Sequence, residues 1–128
     1  MRYLLDSNII IDFGRNYQPT IEFLKRTLKD SDEVFISVVT EAEMFAGESF
    51  RQLDEFLNHS FPAVALDVNS DIARKAGLLK RSNPPLDLVD ALIAATAILN
   101  DLVLITRNRK HFEGVLEGVK ELKLAEGI

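Results

Sequence analysis

The sequence predicts an α/β protein, a three-layer α/β/α sandwich around a mainly parallel sheet. Three observations carry this reading. Short β-type runs alternate with stretches of helical periodicity along the chain. The alanine-rich stretch Leu86–Leu99, LDLVDALIAATAIL, is apolar on nearly every side and reads as a helix buried by its neighbours. The run Leu102–Ile105, LVLI, contains no polar residue, as suits a strand covered on both faces.

The elements follow in order. Tyr3–Leu5 reads as the first strand, ending at Asp6. Ser7 or Asn8 caps a brief helix through Phe13, which Gly14 stops. Pro19 suits a helix start, and Ile21, Leu24 and Leu28 share one face of a helix to about Lys29. Val34–Ser37 is the second strand. Thr40–Phe45 begins a helix that Gly47 interrupts, after which Phe50, Leu53, Phe56 and Leu57 recur at helical spacing. Pro62 breaks that helix before a third strand, Ala63–Leu66. Asn69 or Ser70 caps the next helix, with Ile72, Ala73, Ala76, Leu78 and Leu79 facing inward. Asn83-Pro84-Pro85 is a stiff turn into the central helix, which Asn100-Asp101 ends. Beyond the strand Leu102–Ile105, Asn108–Phe112 reads as a helical turn and Val119–Leu124 as a last edge strand. No repeat or linker interrupts the pattern, so residues 1–128 are expected to form a single domain.

Bulk composition narrows the function classes. The chain is 47% hydrophobic and 27% charged, an ordinary globular balance. Its net charge of −5 argues against holding nucleic acid by bulk attraction, so such a role needs a local basic patch or a metal ion. The absence of cysteine excludes disulfides, thiolate metal sites and cysteine nucleophiles. No apolar run approaches the about 20 residues that span a bilayer, and no leader is visible, so a soluble cytoplasmic protein without a membrane role is expected.

In a parallel sheet, ligands bind beyond the carboxyl ends of the strands. Asp6 closes the first strand, and Glu43 sits about one turn into the helix after the second. Asp90 enters the helix leading to the fourth, and Thr106-Arg107-Asn108 follows it. Carboxylates gathered at one rim repel unless a cation joins them. Oxygen ligands without His or Cys suit Mg²⁺ or Mn²⁺ rather than zinc, and such ions promote phosphodiester hydrolysis. For any one of these acids the plainer alternative is helix capping or a solvated charge.

Four segments carry a resemblance. MRYLLDSNIIID, ISVVTEAEMFAG, DLVDALIAATAI and LVLITRNRKHF, in that order from residue 1 to about 112, resemble the signature blocks of the PIN domain. Among PIN proteins they are most similar to the VapC-type toxins of prokaryotic toxin–antitoxin pairs. The resemblance implies a PIN-like fold and a metal-dependent endoribonuclease that leaves 5′-phosphate and 3′-hydroxyl ends. It also implies RNA as substrate, a small antitoxin protein as partner, and a homodimer whose early helices help form the antitoxin groove. It assigns the family's acids to Asp6, Glu43 and Asp90, and the fourth position, often Asp in relatives, to Asn108. Asn108 offers a carbonyl without charge. One Mg²⁺ held chiefly by Asp6 and Asp90 is therefore expected. Glu43 would orient or deprotonate water, or help hold a second ion when RNA brings its own phosphate oxygens.

The remaining polar residues are placed around this set. Glu41 and Glu43, two positions apart on a helix, point to different sides, so only one joins the set; the resemblance favours Glu43, and Glu41 then reads as solvated. Asp87 caps the central helix or stands behind the ligands. Ser7, Asn8 and Thr106 either support the carboxylates by hydrogen bonds or serve caps and turns. Asp12 is expected to be exposed. Arg107, Arg109 and Lys110 form the densest basic patch, placed to meet RNA phosphates or simply solvated. Lys75, Lys80 and Arg81 form a weaker one. His59 and His111 are not expected to take part in catalysis, and His111 stands where relatives often carry an acid. Rival readings are a PIN nuclease of RNA processing without an antitoxin, and a catalytically silent PIN relative that binds RNA or protein. A signalling receiver domain fits poorly, because Ser7 rather than a second acid follows Asp6 and Asp67 is badly placed.

Overall fold

Four short runs of mainly aliphatic and aromatic side chains make the centre of the fold: β1 (Arg2–Leu5), β2 (Glu33–Ser37), β3 (Ala63–Leu66) and β4 (Val103–Ile105). In the computed structural model, which describes residues 1–48, 50–59 and 63–128, a two-residue strand β5 (Lys123–Leu124) joins them. The strand order is β3-β2-β1-β4-β5, and every neighbouring pair is parallel. Register is set at the centre: Leu4 lies beside Phe35 on one side and Leu104 on the other.

Alternation along the strands divides the core in two. Leu4, Phe35 and Leu104 point to one face, which is covered by α5 (Ser70–Ser82), α6 (Leu88–Leu99) and α7 (Arg109–Gly118). Tyr3, Leu5, Val34, Ile36 and Ile105 point to the other. There they meet α1 (Ser7–Gly14), α2 (Gln18–Thr27), Met44 of α3 (Val38–Ala46) and α4 (Phe50–His59). This is the expected three-layer sandwich. Ala91, Ala94, Ala95 and Ala97 are fully or almost fully buried, and their small side chains let α6 lie close against α5 and the sheet. Leu53 and Phe56 of α4 are core residues, and the Phe56 ring meets Phe13 edge-on at 5.3 Å.

Several local expectations are corrected. The first helix is capped not by Ser7 or Asn8 but by Asp6, whose extended backbone lets its own carboxylate accept from Ser7 N–H. α3 starts at Val38 because Ser37 caps it, accepting from Val39 N–H. In α5 the cap is Asn69, and Ala73 and Leu78 face solvent while Ile72, Ala76 and Leu79 are buried. After Asn108 the chain forms a ten-residue helix rather than one turn, because Phe112 and Val115 are buried three apart on one face. The expected strand Val119–Leu124 shrinks to its last two residues, because Val119 is the C-cap of that helix and a turn at Lys120-Glu121 follows. Asp101 ends α6 in the left-handed region at φ 52°, which a short polar side chain tolerates. The expected break at Pro62 and the side chains of Phe50 and His59 lie outside the described residues. Among the described residues no helix is long and apolar enough to cross a membrane.

The chain order places a switch at β1. From β1 it runs outward to β2 and β3, then returns through α5 and α6 to β4 on the opposite side of β1. A crevice opens beyond the carboxyl ends of β1 and β4, where ligands of parallel sheets bind.

Candidate active site

Asp6 is the first residue beyond β1, and the sheet itself positions it: its N–H donates to Ile105 O at 3.0 Å. The side chain is 7% exposed and every contact fixes its direction. Oδ1 accepts from Ser7 N–H at 2.8 Å, and Oδ2 accepts from the Thr106 hydroxyl at 2.9 Å and the Asn8 amide at 3.4 Å. Thr106 follows β4 and is itself held, its oxygen accepting from Asn108 N–H at 3.0 Å. Asn8 links the two strand ends, because its carbonyl also accepts from Arg107 N–H at 3.2 Å.

The other carboxylates come from helices that begin at the same rim. Glu43 stands in the second turn of α3 and accepts from the Ser7 hydroxyl at 2.6 Å. Asp87 is the N-cap of α6 and accepts from Val89 N–H at 2.8 Å. Asp90, in the first turn of α6, lies 3.2 Å from Nδ1 of His111. Asn108 begins α7, and its side chain makes no capping bond.

These residues line one cleft of about 340 Å³, formed chiefly by Asp6, Ser7, Asn8, Glu43, Asp87, Asp90, Asn108 and His111. Four carboxylates share it, and among the described residues no Lys or Arg lines it. Electrostatics record the conflict. Burial raises the pKa of Asp6 above the ordinary carboxylate range, and facing Asp90 raises it further, while the Thr106 and Ser7 hydrogen bonds and His111 pull it down. Asp90 is also raised, first by burial and then by Asp87 and Glu43, with His111 opposing. Such a set fits a hard divalent cation: all its acidic donors are oxygens, and a cation would remove the repulsion. Among the described residues no three Asp, Glu or His side chains form a ready-made cage.

Of the basic patch, two members are engaged elsewhere. Arg107 Nε lies 2.7 Å from Asp12 Oδ2, and its guanidinium stacks over the Tyr17 ring at 4.8 Å. Arg109 donates to Ala125 O at 3.1 Å. Lys110 is exposed and has no hydrogen bond or ion pair among the described residues. Asp12, expected at the surface, is instead 3% exposed: α2 lies against α1, the Thr20 hydroxyl donates to Oδ2 at 2.7 Å, and Arg107 closes over it. Glu41 lies in the first turn of α3 and does not line the cleft. His111 was set aside in the sequence yet stands in the cleft beside Asp90. The signal for it in the sequence is the i, i+3 spacing from Asn108, which acts only when the segment continues as a helix.

The chain is similar to known proteins along most of its length. A family model of the PIN domain matches residues 3–115. The chain is 36% identical over 114 residues to Ribonuclease VapC19 of Mycobacterium tuberculosis, covering 85% of this chain and 90% of the relative. It is 32% identical over 124 residues to Ribonuclease VapC1 of Methanocaldococcus jannaschii, covering 91% and 82%. A toxin–antitoxin complex from Klebsiella pneumoniae contains a chain similar over 98% of both, with TM-score 0.74 and 27% identity.

Proposed function

The chain belongs to the PIN domain family, and from that premise we propose that it is a metal-dependent endoribonuclease, the toxin of a type II toxin–antitoxin pair held in check by a small antitoxin protein. The observation that carries the chemistry is the cleft itself, with four carboxylates, two of them with raised pKa, and no Lys or Arg among the described residues that line it. Asp6 and Asp90 would hold Mg²⁺, or Mn²⁺ in its place, with Glu43 and the Asn108 carbonyl as further oxygen donors. Once bound, the ion supplies Lewis acidity toward the scissile phosphate and the attacking water.

The chain's own residues do the rest. Ser7, Asn8 and Thr106 lock Asp6 in one orientation, so its free lone pairs face the cleft without reorganisation. The Ser7 hydroxyl occupies Glu43 Oε1, which leaves the second carboxylate oxygen to orient water and take its proton. His111 engages one oxygen of Asp90 and leaves the other for the ion. The names of the relatives support the ribonuclease and the antitoxin. A homodimeric form and a cytoplasmic location belong to the same reading, and sedimentation of the purified chain tests the first.

The deciding experiment is RNA cleavage by the parent and by Asp6→Asn in Mg²⁺ and in EDTA, together with growth on expression. Cleavage and growth arrest by the parent alone, dependent on the ion, are expected. Cleavage by Asp6→Asn at the parent rate refutes the mechanism. Co-purification of a small protein encoded beside the gene separates a toxin from an RNA-processing nuclease.

A further inference from the structure

Beside the carboxylate cleft lies a second cavity, which the cleavage chemistry does not use. It measures about 550 Å³ and shares Asp87, Asp90 and His111 with the cleft as a common wall. That volume lies within the range of small-ligand sites. Its surface is of another kind. Pro84, Pro85 and Val115 give it apolar walls, and Lys110 brings an ammonium group. Lys110 is the single Lys or Arg lining either space among the described residues.

The cavity is built on a fixed turn. Lys80 Nζ donates to Pro84 O at 2.6 Å, Leu86 N–H to Asn83 O at 2.8 Å, and the Asn83 amide to Leu79 O at 3.1 Å. On the facing helix, Gly114 lines the cavity with no side chain, and a Cβ there would stand 3.7 Å from Asn83 Oδ1. Glycine is the poorest helix former after proline, so its place inside α7 keeps open a space that any other residue would begin to fill.

We propose that this cavity receives the nucleoside adjoining the cleaved phosphate, with its base against Pro84 and Pro85 and the next phosphate on Lys110. The inference rests on the nuclease reading above and adds the place where the RNA base is met. A phosphate held in the cleft lies across the Asp90–His111 wall from the cavity, so the neighbouring nucleoside is the part of the substrate that reaches it. Arg107 and Arg109 are engaged elsewhere, which leaves Lys110 as the member of its run available to a phosphate. In a chain of net charge −5, one free ammonium beside an acidic cleft fixes the path of the strand.

Two measurements test this. In the first, the parent, Gly114→Leu and Lys110→Ala cut a random-sequence single-stranded RNA in Mg²⁺, and the bases flanking each cut are counted. The parent is expected to prefer certain bases at one flanking position. Gly114→Leu should flatten that preference by about fivefold or more, with the loss carried by KM rather than kcat. Lys110→Ala should raise KM for every base alike and reduce the salt slope by about one. Unchanged preference and KM in a folded Gly114→Leu protein overturn the proposal. The second measurement needs neither cleavage nor a variant. Each of the four ribonucleoside 5′-monophosphates is titrated into the parent without divalent ions while the Lys110 and Gly114 amide resonances are followed. Saturating shifts with at least one nucleotide are expected, and four flat titrations overturn the proposal. A parent that cuts no RNA refutes the nuclease reading, while the titration still decides the cavity.

Discussion

Removing the Arg107 side chain strands a buried carboxylate. Asp12 is 3% exposed, and its Oδ2 meets both the Thr20 hydroxyl and Arg107 Nε at 2.7 Å. Arg107→Ala leaves that charge with Thr20 alone. A hydrogen bond between charged partners contributes about 1.5–3 kcal/mol, and stacking on Tyr17 adds about 0.5 kcal/mol. The Arg107 side chain is 41% exposed, so solvent screens the pair and the lower part of the range applies. The expected loss is about 2 kcal/mol. For a chain of 128 residues the entropy of unfolding is about 270 cal/mol/K, which converts this loss to a fall in Tm of about 7 °C.

Asp12→Ala should cost about as much or more, because it also orphans the buried Thr20 hydroxyl. In the double variant the two losses should overlap, giving a coupling of about 1–2 kcal/mol. Thermal and urea melts of the four proteins read both quantities. An Arg107→Ala protein melting within about 1 °C of the parent refutes the reasoning. If that same protein has lost RNA affinity, Arg107 belongs to the substrate, as its place in the basic run first suggested.

Further outcomes follow from the cleft. Asp6 and Asp90 bind their protons more tightly folded than unfolded, so the native state holds more protons between the ordinary carboxylate range and their raised values, and stability falls as pH rises through that window. Melts without divalent ions should therefore show Tm declining as pH rises above the ordinary carboxylate range, less steeply in Asp6→Asn, with Mg²⁺ restoring the parent above that window. An identical decline in both proteins counts against the cleft as its source. Asn108→Asp adds a carboxylate to the same space, so it should lower the ion-free Tm and tighten Mg²⁺ binding in calorimetry; unchanged affinity means that position 108 does not face the ion. Asp87→Ala removes the cap that accepts from Val89 N–H and should cost about 1 kcal/mol, a Tm fall of about 4 °C, whereas Asp87→Asn keeps a capping oxygen and most of the stability.

Much of the frame was legible because its signals are local. Ala63–Leu66 is a strand with the expected bounds, and the apolar run of α6 and the turn before it are what alanine, leucine and two prolines dictate. α7 was read too short because Asn108–Phe112 has the signal of one turn. Only packing of Phe112 and Val115 against the sheet and α6 extends it. Among the acids, Asp6 and Asp90 could be singled out because each stands at a strand end or helix start that a parallel sheet brings to one rim, whereas Glu43, a turn into its helix, was separated from Glu41 by the family resemblance. Asp12 gave no such sign. Its burial depends on Thr20 and on Arg107, which is distant in sequence.

The sequence by itself determined the order of the elements, the alternation that divides the core, and the acids that reach one end of the sheet. Each follows from side-chain period and backbone preference within a few residues. Tertiary structure decided which polar groups share a space: Asp12 with Arg107 rather than water, His111 with Asp90, and Lys110 left free beside a cavity. Those outcomes depend on desolvation and on partners far along the chain. The strength of a charge is set by what surrounds it, and those surroundings exist only once the layers have closed.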